Sequence, residues 1–224
     1  MILKAENLTM RYMRRTGQAN WFQAVKGASL ELRPGEVAVL MGRSGSGKTT
    51  LLHMLAGLLT PTEGRVLLDD TDLYALGDAR LSRLRNRSLG VVPQGRSAID
   101  SLTVEENILL PGLLYGGGAN REAAARWMEA LGIAALSDAR PAELSGGELR
   151  RMAIARTMAQ GTEAVLADEP TGDLDDENTR LVLEVLRSAA KEEGQTVLVV
   201  SHDPEAAGYA DAIYRMDGGC LAPA

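Results

Sequence analysis

Three short stretches of the chain carry residue types suited to handling a phosphate group. The first, Gly42-Arg43-Ser44-Gly45-Ser46-Gly47-Lys48-Thr49, matches G-x-x-x-x-G-K-[ST] and directly follows the apolar run Val37–Met41. Glycines let a backbone turn tightly enough for its N–H groups to point inward at phosphate oxygens. A helix starting near Gly47 would aim the positive end of its dipole at the same anion. Lys48 would reach the β- and γ-phosphates of a nucleotide, and the Thr49 hydroxyl would ligate Mg²⁺. The second stretch, Ala164-Val165-Leu166-Ala167-Asp168-Glu169-Pro170, ends an apolar strand in two carboxylates. Asp168 suits Mg²⁺, directly or through water, which leaves Glu169 to orient and deprotonate an attacking water. A solvated strand end is the competing reading, and the phosphate loop upstream weighs against it. The third, Val197-Leu198-Val199-Val200-Ser201-His202-Asp203, ends a strand in one of two histidines. His202 could contact the γ-phosphate and hold water in line, and a structural role competes with that one. His53, inside the helix after the phosphate loop, reads as a packing or surface residue.

The elements that must position these groups follow from apolar patterning. Val37–Met41, 164–167 and 197–200 are continuously apolar, which suggests strands covered on both faces, as in a parallel sheet. Helical patterns at 49–58 and 179–191 intervene, so the expected core is α/β with a mainly parallel sheet. Residues 3–8 and 28–32 read as strands joined by an irregular stretch over 13–22, an antiparallel β edge. From about 95 to 161 helix signals dominate, with Pro111 and the run Gly116-Gly117-Gly118 as interruptions. The expected organisation is a single domain over 1–224. Residues 1–94 and 162–224 form a catalytic core with a β subdomain, and 95–161 form an inserted helical lobe.

Composition narrows the class. Glycine makes up 24 of 224 residues, above the usual share of roughly 7%, without a collagen period. Hydrophobic residues at 45% and charged residues at 24% exclude wholesale disorder. A net charge of −6 disfavours nucleic acid as the main partner. The single cysteine, Cys220, can form neither an internal disulfide nor a metal site by itself. The opening Met1-Ile2-Leu3-Lys4-Ala5-Glu6 lacks a basic start and apolar core, so no secretory signal is expected. No apolar run approaches the roughly 20 residues of a membrane span.

Leu144-Ser145-Gly146-Gly147-Glu148 precedes the helical run 149–156. Ser145 and Glu148 have capping-box spacing. That leaves unexplained two consecutive glycines at a helix start, where each costs about 1 kcal/mol against alanine. Close approach of backbone to an anion does explain them. With this segment the chain resembles the ATP-binding-cassette (ABC) ATPases over nearly its whole length. Leu144 to Glu148 resembles their signature motif, with Glu148 where Gln is commoner, and Gly42 to Thr49 resembles their Walker A motif. Val165 to Glu169 is similar to Walker B with its catalytic Glu. Gln94, in Gly90-Val91-Val92-Pro93-Gln94, is similar to the Q-loop glutamine, although Pro93 departs from the frequent aromatic. Thr171-Gly172-Asp173-Leu174-Asp175 resembles the D-loop, His202 the switch histidine, and Tyr12 the A-loop aromatic that stacks on adenine.

The resemblance implies ATP and Mg²⁺ as cofactors. It implies that ATP is bound by Tyr12, Gly42, Arg43, Ser44, Gly45, Ser46, Gly47, Lys48, Thr49, Thr50 and Gln94 of one subunit. Ser145, Gly146, Gly147 and Asp175 would come from a second subunit packed head to tail. Thr49, Gln94 and Asp168 would serve the metal, and Glu169 and His202 the hydrolysis. Ninety-seven positions separate Lys48 from Ser145, and 34 separate Asp168 from His202. Both spacings suit a compact transporter ATPase, and no coiled coil of the chromosome-maintenance relatives intervenes.

Residues 167–175 together with Glu106-Asn107-Ile108-Leu109-Leu110-Pro111 resemble the lipoprotein-release, macrolide-export and antimicrobial-peptide-export subfamily. That implies an ATPase driving a separate membrane permease, for export or extrusion, from the cytoplasmic face of the cell membrane. The alternative is a non-transport ABC ATPase that regulates or assembles a partner complex. A GTPase or nucleoside kinase sharing only the phosphate loop is disfavoured, since no N-K-x-D motif occurs. Arg80, Arg83, Arg85 and Arg87 read as a solvated helix face, with lipid headgroups or the permease as the competing contact. Trp21 and Phe22 read as packing against the edge strands, with partner binding as the competing role.

Overall fold

Strands that are apolar on both faces need cover on both faces, and the chain provides it from two layers. The computed structural model describes residues 1–16, 18–114 and 118–224, with the backbone alone described over the rest of 14–20. β1 (Leu3–Thr16) and β2 (Gln18–Leu32) form a long antiparallel hairpin. The chain continues through β3 (Val37–Met41), α1 (Lys48–Leu55), β4 (Glu63–Leu68) and β5 (Thr71–Asp72). Next come α2 (Asp78–Ser88), β6 (Leu89–Val92), α3 (Val104–Leu114), α4 (Arg121–Ala130) and α5 (Gly146–Ala159). The last elements are β7 (Ala164–Asp168), α6 (Asp176–Glu193), β8 (Thr196–Ser201), β9 (Ala212–Asp217) and β10 (Cys220–Pro223).

The core sheet has strand order β10-β9-β3-β8-β7-β6 and is parallel except for β10 at its edge. The N-terminal hairpin does not extend that sheet. With β4 and β5 it makes a separate four-stranded antiparallel sheet of order β2-β1-β4-β5. The expected irregular stretch over 13–22 is corrected: Tyr12 pairs with Phe22 and Met13 with Trp21, and pairing continues to Thr16 and Gln18. Met13 and Trp21 are exposed, so at this pair neither strand presents a buried apolar side chain to read. Trp21 therefore does not pack against the edge strands.

Alternate residues of the central strands β3, β7 and β8 enter opposite clusters. Val37, Val39, Val197 and Val199 join α3, α4, α5 and α6 side chains such as Ile108, Trp127, Ile154 and Leu186. Ala38, Leu40, Leu198 and Val200 face Leu51 and Leu55 of α1 and Leu3, Val25 and Val66 of the antiparallel sheet. Full burial of both faces is what erases the period-2 pattern in the sequence.

Pro111 lies inside α3 rather than interrupting it. Its missing N–H leaves one carbonyl of the preceding turn without a helical donor, a cost the helix bears near its end. Of the three-glycine run, Gly118 is described with φ +80°, and Gly116 and Gly117 lie outside the described residues. Buried Asn107 ties down the loop before α3. Its Nδ2 donates to the carbonyls of Ile99, Leu102 and Thr103, and its Oδ1 accepts from the Ile99 N–H at 2.8 Å.

Candidate nucleotide site

The carboxyl ends of β3, β7 and β8 meet at one cleft of about 1170 Å³. Crevices of this kind, beyond the carboxyl ends of parallel strands, are where open α/β sheets take ligands. β3 feeds the loop 42–47, and α1 begins at Lys48 with Gly47 as its cap at φ +108°. A β-carbon on Gly47 would stand 2.2 Å from the Ala24 carbonyl oxygen, so only glycine lets β2 approach this close. Arg43, Ser44, Gly45, Gly47, Lys48, Thr49 and Thr50 line the cleft. Gly42 and Ser46 are not on its wall, and the Ser46 hydroxyl is buried without a hydrogen-bond partner.

Lys48 is 7% exposed and is folded onto its own loop. Its Nζ donates to the carbonyls of Gly42 at 2.7 Å and Arg43 at 3.3 Å, and stands 3.8 Å from Glu169 Oε1. Glu169 follows the last residue of β7 with φ +49°, a left-handed conformation that costs a non-glycine residue on the order of 1–3 kcal/mol. Two backbone bonds hold it there: its N–H donates to the Val200 carbonyl at 2.8 Å, and its carbonyl accepts from the Gly172 N–H at 3.1 Å. The result points its carboxylate between Lys48 and His202, whose Nδ1 lies 2.9 Å from Glu169 Oε2. His202 is mostly exposed on the cleft wall.

Asp168, one residue earlier, is 1% exposed, and neither carboxylate oxygen meets a hydrogen-bonding geometry. Burial pushes this carboxyl up from its ordinary range, the neighbouring Thr49 hydroxyl opposes the shift, and the Glu169 charge adds to it. An orphaned buried carboxylate beside a threonine hydroxyl fits a hard cation. Among the described residues no three His, Cys, Asp or Glu side chains gather to hold a metal. A cation here would thus draw most of its oxygens from the ligand and water.

The remaining sequence-predicted residues divide. Tyr12 and Gln94 line the cleft, and so does Phe22, which faces Tyr12 across the hairpin. Ser145, Gly146, Gly147 and Asp175 do not. Ser145 caps α5 in a capping box: Glu148 N–H donates to its hydroxyl at 3.3 Å, and Glu148 Oε2 accepts from the Ser145 N–H at 2.7 Å and from its hydroxyl at 2.8 Å. These bonds, the backbone one foremost, hold the Glu148 carboxyl below its usual range. Nothing lies within 4 Å of a β-carbon placed on Gly146. Asp175 caps α6, accepting from the Asn178 N–H at 2.8 Å, which with the Asn178 side chain lowers its pKa.

Several cleft residues lie beyond the site residues that the sequence predicts, three of them in the segment resembling the D-loop. Phe22 would have followed from recognising the hairpin register. Thr171, Gly172, Asp173, Asp203, Pro204 and Arg150 also line the wall. Nothing in the sequence separates Arg150 from the adjacent Arg151. Of the arginine cluster, Arg80, Arg83 and Arg87 are exposed, whereas Arg85 turns inward to the Gly57 carbonyl at 2.8 Å.

A phosphate loop, a buried acid and a carboxylate–histidine pair on a parallel sheet define a nucleotide-hydrolysing class. The family model for ABC transporters matches residues 25–172, and the chain belongs to that family. It is 41% identical over 203 residues to the lipoprotein-releasing system ATP-binding protein LolD of Pseudomonas syringae pv. tomato, covering 89% of each chain. It is 41% identical over 199 residues to the macrolide export ATP-binding/permease protein MacB of Brucella abortus, covering 88% of this chain and 31% of that longer one. The dimeric structure of MJ0796, a bacterial ABC transporter cassette, superposes with a TM-score of 0.91 at 33% identity, covering 98% of this chain and 96% of that one. The same cassette is also known in a post-hydrolysis state bound to ADP and Pi. The protein is an ABC transporter ATPase cassette that binds and hydrolyses ATP. Among the described residues no helix is long and apolar enough to cross a membrane.

Proposed function

We propose that the chain energises a separate membrane permease, for export or extrusion, as one of two identical cassettes that close head to tail on ATP. The observation that carries this reading is the division of the site. Lys48, Thr49, Glu169 and His202 face one cleft, with Asp168 buried behind Thr49, while Gly146 faces open space at a helix start. An anion-binding helix start with nothing of its own to bind suits a second subunit's nucleotide.

In this reading the triphosphate lies on residues 42–49, and Lys48 exchanges its loop carbonyls for phosphate oxygens. Tyr12 stacks on the base. Thr49 and Asp168 would hold Mg²⁺, with Gln94 near it, and such an ion would supply positive charge against the phosphate oxygens. Glu169 accepts a proton from water attacking the γ-phosphorus while His202, hydrogen-bonded to it, holds that water's position. Ser145 and the N–H groups of Gly146 and Gly147 of the second subunit cover the γ-phosphate from the other side, with its Asp175 at the joint. Residues 95–161 act as the lobe that moves, and the segment after Gln94 meets the permease. The pair of cassettes then works at the inner face of the membrane. The likeness of the chain to LolD and MacB supports an export direction.

The test is reconstitution with the permease encoded beside this chain. ATPase activity that rises when that permease is present, and copurification with it, are the expected results. A solute-binding protein in the same operon, or turnover indifferent to the permease, removes the export reading.

A further inference from the structure

We propose that Arg150 is a positioning residue that fixes the Gln94 loop against the turn carrying Glu169. Arg150 is the fifth residue of α5, half-buried on the cleft wall. Its Nη1 donates at 3.1 Å to the carbonyl of Pro93, the residue before Gln94. Its Nη2 stands 3.8 Å from the site of a β-carbon on Gly172, whose own N–H closes the turn onto the Glu169 carbonyl. One guanidinium therefore spans the loop of Gln94 and the turn of Glu169, and it belongs to the helix that Ser145 caps.

The same helix is sewn at two other points to the segments on either side, strand β6 and the loop after Gln94. Thr157 Oγ1 donates to the Val91 carbonyl at 3.1 Å. Arg156 donates to the Ser97 carbonyl at 2.8 Å and to the Ser97 hydroxyl at 2.6 Å. With Val91 and Ser97 held independently, losing Arg150 leaves α5 attached and frees the backbone at Pro93 and Gln94. The planar fork of arginine suits this task, since one arm donates to the Pro93 carbonyl while the other, fixed in the same plane, lies against Gly172. A shift of the order of 1 Å in the Gln94 backbone, or in the Glu169 turn, is enough to misalign reacting groups.

This assignment rests on the hydrolytic reading of the cleft, and the experiment separates the two. Full-length protein carrying Arg150→Ala, Arg150→Gln or Arg150→Lys is compared with wild type in steady-state ATP hydrolysis, equilibrium ATP binding and thermal unfolding without nucleotide. For Arg150→Ala a fall of about tenfold in kcat is expected, with ATP affinity within about threefold and an unchanged melting temperature. Arg150→Gln, which keeps a donor for the Pro93 carbonyl without the charge, should recover turnover to within about threefold of wild type. Arg150→Lys, with its charge but no fork, should recover less. Wild-type turnover in Arg150→Ala overturns the assignment. So does a loss shared equally by affinity and melting temperature, or Arg150→Lys outperforming Arg150→Gln, which would make the charge the active element. A wild-type protein without ATP turnover would overturn the reading of the cleft itself, and this assignment with it.

Discussion

Gly47 and Gly146 both stand at the start of a helix, and for opposite reasons. Gly47 is hemmed in by its own chain, with the Ala24 carbonyl where a β-carbon would be. Around Gly146 nothing lies within 4 Å of where a β-carbon would be. Helix capping accounts for Ser145 and Glu148, which bond to each other, and leaves the glycine beside them without a local cause. The loop 42–47 is shaped by intramolecular packing, whereas at Gly146 no intramolecular packing calls for glycine. In the function proposed above, half of the site is complete in one subunit and the other half is offered to a second.

The sharpest way to break that contrast is at Glu169. Glu169→Gln should retain ATP binding and lose turnover by about 10²-fold or more, the weight of a general base. Near-normal hydrolysis by this variant would remove Glu169 from the mechanism. Gly146→Asp should lower turnover by about tenfold or more, since it sets a carboxylate against the second subunit's phosphate. Because the site is open, its melting temperature and the ATP affinity of the isolated subunit should stay at wild-type values, and a drop in either would show an intramolecular role for Gly146. Gly47→Ala should do the reverse, destabilising the fold by about 2–3 kcal/mol in urea unfolding through clash and strained φ. Unimpaired folding of Gly47→Ala would refute the steric account.

Asp168→Asn separates metal chemistry from stability. The folded-state pKa of Asp168 lies above its unfolded value, so wild-type stability falls as pH rises from the ordinary carboxylate range through that raised value. The Asn variant escapes the loss. Without nucleotide it should be more stable at pH 7, because a neutral amide avoids the burial of a charge that raises the Asp168 pKa. Its advantage should shrink as pH falls through the raised pKa, while Mg²⁺-dependent hydrolysis is lost. Equal stability of the two proteins at neutral pH would mean that Asp168 is solvated. The smallest effect belongs to Asp175→Ala, which should cost about 1 kcal/mol as a lost helix cap. A larger loss in turnover than in stability would add a role at the subunit joint.

The sequence made legible what local chemistry dictates. The spacing from Gly42 to Thr49, the carboxylates ending β7 and the histidine after β8 could each be read because a strand end and a helix start leave a short imprint. The antiparallel hairpin was harder. Met13, Trp21 and Phe22 are exposed, and nothing in the sequence over 13–22 repeats with period two that would tell paired strands from a loop. That is why Phe22 was read as packing rather than as cleft wall. Arg150 was illegible for another reason: its role depends on where the Pro93 carbonyl and Gly172 come to lie, and both are set by the core sheet rather than by α5.

Successive helix residues project about 100° apart, and Arg150 and Arg151 make use of that angle. Arg150 grips the Pro93 carbonyl, while Arg151 bonds Asn178, whose amide in turn holds the Asp175 cap of α6. A rod clamped on two sides at one end cannot roll about its long axis without releasing a clamp. Arg156 and Thr157 grip the far part of the same helix, so tilt is opposed as well and the glycine-led tip of α5 keeps a fixed attitude to the rest of the lobe.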